Sequence, residues 1–346
     1  MAGLTYNGGS VQALKGLSGG VTTVTSAMTV TTLTRGTNGM LTVISSNLTS
    51  DLGTNEKFIP GAALGNTSGI LTTPSIVGLG LNDGNLNFLR YVDSSTTGLA
   101  LHNATTVGAL GASAATSLAD ISSVQAVGNS AIDVLALRTN SNITAAGGSS
   151  LLRIVSGGLI MNNGVSAAPV ISSNLRFGTG ATAQEALVFV SGGQTGNSIL
   201  SGNYEATDFT KAGLGTLVLS GTANVMAPTT TLLRNLTIQE GTLMFAAQSA
   251  VASNGLINVV VNNAGVFDLN GQNITIGGLA GTGTVTGTSG SLTVNAGLGQ
   301  ATTFSGVITG SMSLTKTGNG TLTLSQPVNK DGAPLASTYT GGTTIG

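Results

Sequence analysis

The sequence predicts an all-β protein, a right-handed parallel β-helix (β-solenoid) that is less regular in its N-terminal half. Three observations predict it. Short alternating strands are punctuated by glycine, as in Lys316-Thr-Gly-Asn-Gly-Thr-Leu-Thr-Leu-Ser325, where Leu322 and Leu324 are expected on one face and Thr321, Thr323 and Ser325 on the other. The same grammar recurs as Lys211-Ala-Gly-Leu-Gly-Thr-Leu-Val-Leu-Ser220 and, reduced, as Gly241-Thr-Leu-Met-Phe245. The two full copies stand about five coils of roughly 20 residues apart, the spacing of a solenoid whose coils bury their leucines on one another. Finally, only 7% of residues are charged and 53 are glycine, whereas ordinary domains carry about 25% charge. Threonine, serine and asparagine fill the polar positions, the composition of strands and turns with short side chains.

Taken in order, Val21–Thr25, Met28–Leu33 and Met40–Ile44 alternate and are rich in β-branched residues, as strands are. Asp51–Leu64 gathers Asp51, Glu56, Lys57 and Pro60 and reads as a loop or a break in stacking. The Asn82-Asp-Gly-Asn85 turn between Ile76–Leu81 and Leu86–Val92 is a hairpin signal. Ala112–Val127, with Leu118, Ile121 and Val124 at three-residue steps, is the one stretch with helical spacing. Strands are then expected at Ala131–Arg138, Leu151–Val155, Gly158–Met161 and Leu187–Val190. Residues 1–200 thus read as an irregular solenoid with loop insertions and 201–346 as the regular part of one continuous body. At about 4.8 Å per coil, some fifteen coils make a rod on the order of 70 Å long.

The residues from Leu314 to Ser325, followed by Thr338-Tyr-Thr-Gly-Gly-Thr-Thr-Ile345, resemble the autotransporter-associated β-strand repeat of bacterial surface proteins. The likeness is clearest over 201–346, and Ala264–Val285 is similar to the segment that precedes such a repeat. One departure is an insertion, Gln326–Ser337, where the family has a short link; it reads as a longer corner loop. The resemblance implies a β-helical passenger, export and display at the cell surface. Met1–Gly9 shows no basic region before an apolar core, and Gly346 falls in mid-repeat, so both ends read as cut from a longer precursor. The alternating strands and aromatic girdles of a membrane barrel are absent from this stretch, and no membrane insertion by these residues is expected.

Charge and composition exclude several function classes. A net charge of −1, with basic residues scattered singly, is unsuited to nucleic acid, which needs clustered Lys and Arg. With no cysteine there is neither a disulfide framework nor a thiolate metal site. His102 is the only histidine, so a histidine-based metal site cannot be assembled. Leu269–Thr315 is uncharged, but Gly, Thr, Asn and Ser interrupt it too often for a membrane helix.

Parallel β-helices include polysaccharide lyases and hydrolases, which need converging carboxylates. The close pairs here are Asp51/Glu56 and Glu205/Asp208. Glu205-Ala-Thr-Asp208 could gather calcium or act as an acid/base pair, but calcium loops need several more oxygen ligands, and a solvated loop is the simpler reading. His102 is expected at an exposed strand or turn position. Asn82–Asn85 lacks the downstream acid of a calcium loop, and Gly277–Gly283 lacks the surrounding βαβ unit of a nucleotide site. Lys211 and Lys316 share one motif position and are expected to cap a turn carbonyl or keep a coil edge soluble. Tyr6, Tyr91, Tyr204 and Tyr339 could each touch sugar but do not cluster. No catalytic, cofactor-binding or metal-binding residue is therefore expected, and no cofactor.

The expected function is that of a non-enzymatic extracellular structural protein, a surface stalk or fibre subunit whose exposed ends stack head to tail on other copies. The alternative is an adhesin or carbohydrate-binding module that contacts surface glycans through loops 51–64 and 326–337. A polysaccharide-cleaving enzyme is the third reading.

Overall fold

The computed structural model describes residues 3–7, 10–14, 26–45, 52–54, 56–79, 85–161, 167–193, 195–226, 234–246, 257–325 and 335–346. Its architecture is all-β with large parallel sheets. From residue 118 onward most strands pair in parallel with the strand three places later, so the chain visits three ladders in turn. The first ladder runs Leu118–Ile121, Ala136–Thr139, Gly158–Met161, Ala186–Val190 and Phe209–Ala212, and ends with Ala301–Phe304 and Thr321–Leu324. The second includes Ile143–Ala145, Ser198–Leu200 and Thr216–Leu219, and ends with Thr284–Gly287 and Val307–Gly310. Two 12-residue strands, Arg234–Phe245 and Ile257–Asp268, serve both ladders and join them into one 18-stranded sheet. The third ladder lies in two sheets, one from Ile132–Val134 to Val225–Met226 and one from Asn273–Ile276 to Thr343–Ile345. The ladders cross residues 200 and 201 without a change of pattern, an ordering compatible with solenoid winding.

The rung spacing varies because the corners do. Cross-rung partners lie 18 residues apart at Asp120 and Arg138, 23 at Asn235 and Asn258, and 29 at Asn174 and Asn203. Alternation sorts the side chains. In the first ladder Leu137, Leu159, Val188, Lys211, Ile238 and Val261 lie in register in one inward row. A single apolar core extends from Leu110 to Leu314, with phenylalanines 177, 209, 245, 267 and 304 inside it. Edge-on contacts join Phe177 to Phe209 and Phe245 to Phe267.

Residues 3–101 form a lobe with its own core, comprising Tyr6, Val30, Leu41, Val43, Phe58, Leu71, Ile76, Leu89 and Leu99 among others. Its longer strands pair in parallel (Gly3–Tyr6 with Thr32–Arg35, Ser26–Val30 with Glu56–Pro60, Leu41–Ser45 with Ile76–Leu79), whereas Asn66–Thr67 pairs antiparallel with Ile70–Leu71, and Leu86–Tyr91 pairs antiparallel with strands on both sides. That antiparallel pair flanks the expected hairpin; its turn, residues 80–84, lies outside the described residues, as does Val21–Thr25. The lobe lies beside the ladders rather than in line with them. The first ladder therefore has ten full rungs from Leu118 to Leu324 among the described residues, and the stack is shorter than a fifteen-coil rod.

Several expectations are corrected. Ala112–Val127 is not helical: a single 3-10 turn at Leu110–Ala112 precedes strands Leu118–Ile121 and Gln125–Val127. Leu118 and Ile121 are both apolar because both faces of that strand are covered, with Ile121 in the main core and Leu118 beneath the lobe, while Val124 is exposed between the two strands. Asp51–Leu64 is not simply a loop: Glu56–Pro60 is a strand whose Phe58 lies in the lobe core, with Ile59 buried on the opposite face and Glu56 buried as well. Leu322 is only half-buried and Leu324 is 46% exposed, because Thr321–Leu324 is the last rung of its ladder among the described residues.

Candidate functional site

Among the described residues, a dense polar arrangement occupies the seam between the lobe and the outer face of the first ladder. The turn after Thr32–Arg35 carries Asn38 in the left-handed region (φ 53°), a conformation that asparagine tolerates better than most residues. This turn presents Arg35 and Asn38 to the ladder. Arg35 Nη1 and Nη2 donate to Glu185 Oε2 and Oε1 at 2.8 and 2.9 Å, a two-toothed pair with fixed geometry. Glu185 Oε1 also accepts from Asn38 Nδ2 at 3.0 Å and from Thr210 Oγ1 at 2.6 Å. Burial pushes the Glu185 carboxyl up, but the hydrogen bonds and charge of Arg35, with those of Thr210 and Asn38, outweigh it and hold the group below its usual range.

Amides extend the seam. Gln239 Nε2 donates to the Asn38 carbonyl at 2.7 Å, and Asn235 Nδ2 donates to Asn38 Oδ1 at 3.3 Å. Asn262 Nδ2 reaches the Asn7 carbonyl at 3.3 Å and also donates to Gln239. At the other end Arg138 is held by Asp120 and donates to Asn87 of the lobe. His102 lies close by. It is half-buried rather than exposed; burial and the Arg138 charge lower its pKa, and its Nδ1 has no hydrogen-bond partner. A cleft of about 300 Å³ opens beside Arg35, lined by Tyr6, Leu71, Thr72, Thr73 and Ser75, with the Tyr6 and Ser75 hydroxyls sharing a hydrogen bond at 2.9 Å.

The acids singled out in the sequence do not converge. Glu205 lies on the outer face of the third ladder, in register with Arg176, and pairs with it at 3.2 Å. The adjoining rungs hold Asp133 and Arg153, paired at 2.6 Å, so four charges occupy successive rungs as two ion pairs. Asp208 instead accepts the Asn235 backbone N–H at 2.8 Å, and burial raises its pKa. Among the described residues no three His, Cys, Asp or Glu side chains come together as metal ligands, and no helix is long and apolar enough to cross a membrane. Asp51 and the 326–334 part of the second expected contact loop lie outside the described residues. Tyr6 and Tyr204 are buried, Tyr204 against Phe209 with ring centres 5.0 Å apart, so the tyrosines share no sugar-binding face.

Lys211 and Lys316 do cap turn carbonyls, each reaching the glycine two residues on. Lys316 Nζ donates to Thr317 O at 2.5 Å and Gly318 O at 2.9 Å. Lys211 Nζ donates to Gly213 O and, across the coil boundary, to Glu240 O at 2.7 Å. Their surroundings differ. Lys211 stands in the inward row of the first ladder, 0% exposed, and burial pushes its ammonium down to about 7. Lys316 lies in the third ladder and is half-exposed. The motif therefore recurs on a different corner, which the sequence spacing did not reveal.

Comparison of the chain with protein-family models, with curated proteins and with solved structures found no match.

Proposed function

We propose that this chain is a non-enzymatic extracellular structural protein: a right-handed parallel β-helix that serves as a surface stalk or fibre subunit and associates end to end. The observation that carries the reading is the unbroken rung-on-rung register from Leu118 to Leu324, with an inward apolar row that each rung extends. A stack of this kind transmits length and stiffness without a reactive centre. The two ends of the stack differ. At the first, Leu110 in the 3-10 turn is 2% exposed and packs onto the core. At the last, Leu324 is exposed and Ile345, in the rung Thr343–Ile345, is 82% exposed. A strand edge with exposed apolar residues accepts a further rung. The likeness of Leu314–Ile345 to the autotransporter-associated repeat supports surface display.

Negative-stain microscopy and light scattering of the 346-residue chain over a range of concentrations test this. Rods that lengthen with concentration are expected; particles of one length throughout would overturn the assembly reading. A glycan array addresses the adhesin alternative, for which the cleft by Arg35 and Ser75 is one polar concavity. Saturable glycan binding lost on Ser75→Ala would favour it.

A further inference from the structure

We infer that the 3–101 lobe is a separable cover, docked reversibly on the outer face of the first ladder and released as a folded unit. This inference is independent of whether the stack assembles into fibres. It rests on how the apolar residues divide. The lobe core and the ladder core are separate clusters, and a third cluster lies between them. From the lobe it draws Met40, Ile70, Val77 and Phe88; from the ladder it draws Ile160, Leu187, Phe189 and Ala212. Those ladder residues alternate with the inward row Leu159, Val188 and Lys211, so they belong to the outside of the stack. Isoleucine, leucine and phenylalanine on an outer sheet face are explained by the lobe that covers them, not by the ladder's own core.

Two subsites register the cover. Glu185 receives Arg35 and Asn38, as described above. Gly158 forms a notch for lobe side chains: a Cβ there would stand 2.7 Å from Pro74 Cγ and 2.8 Å from Phe88 Cε1. Its backbone is not in the left-handed region, so the missing side chain serves the contact with the lobe rather than the fold of the strand. The seam is otherwise built of amides, one ion pair and the Arg138–Asn87 hydrogen bond, contacts that water replaces when the surfaces part. Each unit keeps its own core on separation, so release does not require either to unfold.

The absence of cysteine supplies the test. Single cysteines are placed beneath the cover (Ala212→Cys), in the lobe core (Val30→Cys) and in the ladder core (Ala206→Cys), and maleimide labelling is timed in native buffer. Gly158→Ala is then added to each. The cover predicts that labelling at 212 accelerates about tenfold or more with Gly158→Ala, while positions 30 and 206 keep their rates. Equal acceleration at all three positions, or none at 212, overturns the inference. Ile160→Cys is a second reporter on the covered face should Ala212→Cys fail to fold.

Discussion

Arg35 and Glu185, 150 residues apart in the chain, meet in a two-toothed ion pair that registers the N-terminal lobe on the first ladder. The pair is neither fully buried nor free in solvent, with side chains 24% and 17% exposed. Arg35→Ala leaves the carboxylate to Thr210 and Asn38 alone. A loss of about 1–3 kcal/mol is expected in urea unfolding, below the range for fully buried pairs because solvent screens part of the interaction. The Arg35→Ala/Glu185→Ala double variant should lose less than the sum of the two single losses. The folded-state pKa of Glu185 is depressed, so its stabilisation is present above the ordinary value of 4.5 and is lost as pH falls below it.

Lys211 sets the alkaline side of the stability profile. An unfolded lysine holds its proton to about 10.5, whereas buried Lys211 releases it at about 7. Between those values the unfolded state binds more protons, so stability rises with pH across that window. Tyr204 and Tyr6 act in the opposite sense above pH 10, because burial raises both and the unfolded chain ionises first. Thermal melts should therefore show maximum stability near pH 10, and Lys211→Met should flatten the rise from 7. An unchanged rise in that variant would place the titration elsewhere.

Position in the stack decides what a leucine contributes. Leu292 lies between Ile274 and Leu314 in the third ladder and is fully buried, so Leu292→Ala should cost about 2–5 kcal/mol. Leu322, on the last rung of the first ladder, is half-buried, and Leu322→Ala should cost less than about 2 kcal/mol. Chemical denaturation midpoints compare the two directly.

The glycine of the repeat is required where the coils touch. Gly213 has φ 77°, and a Cβ there would meet Val190 O at 2.3 Å; Gly193 has φ 79° with open space around it. Gly193→Ala should cost about 1–2 kcal/mol, the conformational term alone. Gly213→Ala should cost clearly more, since the corner must also shift off the rung before it. Similar losses in the two variants would show that conformation alone accounts for the glycine.

The strands at Gly158–Met161 and Leu187–Val190 were legible because a short apolar run bounded by Gly- and Ser-rich turns is a local property. The lysine caps were legible as well, because motif spacing places a donor two residues from a corner carbonyl. Ala112–Val127 misled, since a strand covered on both faces loses its period of two. Glu56–Pro60 misled for the opposite reason: its charged and proline letters imitate a loop while Phe58 anchors the lobe core. Glu185 carried no local signal at all, since its partner Arg35 lies far away in the chain.

The sequence by itself determined that the chain is built of short strands and glycine corners, with little charge and no cysteine. Each of these follows from side-chain chemistry or from the backbone freedom of individual residues. Only the tertiary structure decided that the lobe lies beside the ladders and that Lys211 is sealed in an aliphatic row while Lys316 is not. It also decided that Glu205 answers Arg176 instead of Asp208. Those outcomes depend on which rung lands on which, and corners of 18 to 29 residues per coil shift that register in ways that local alternation does not record.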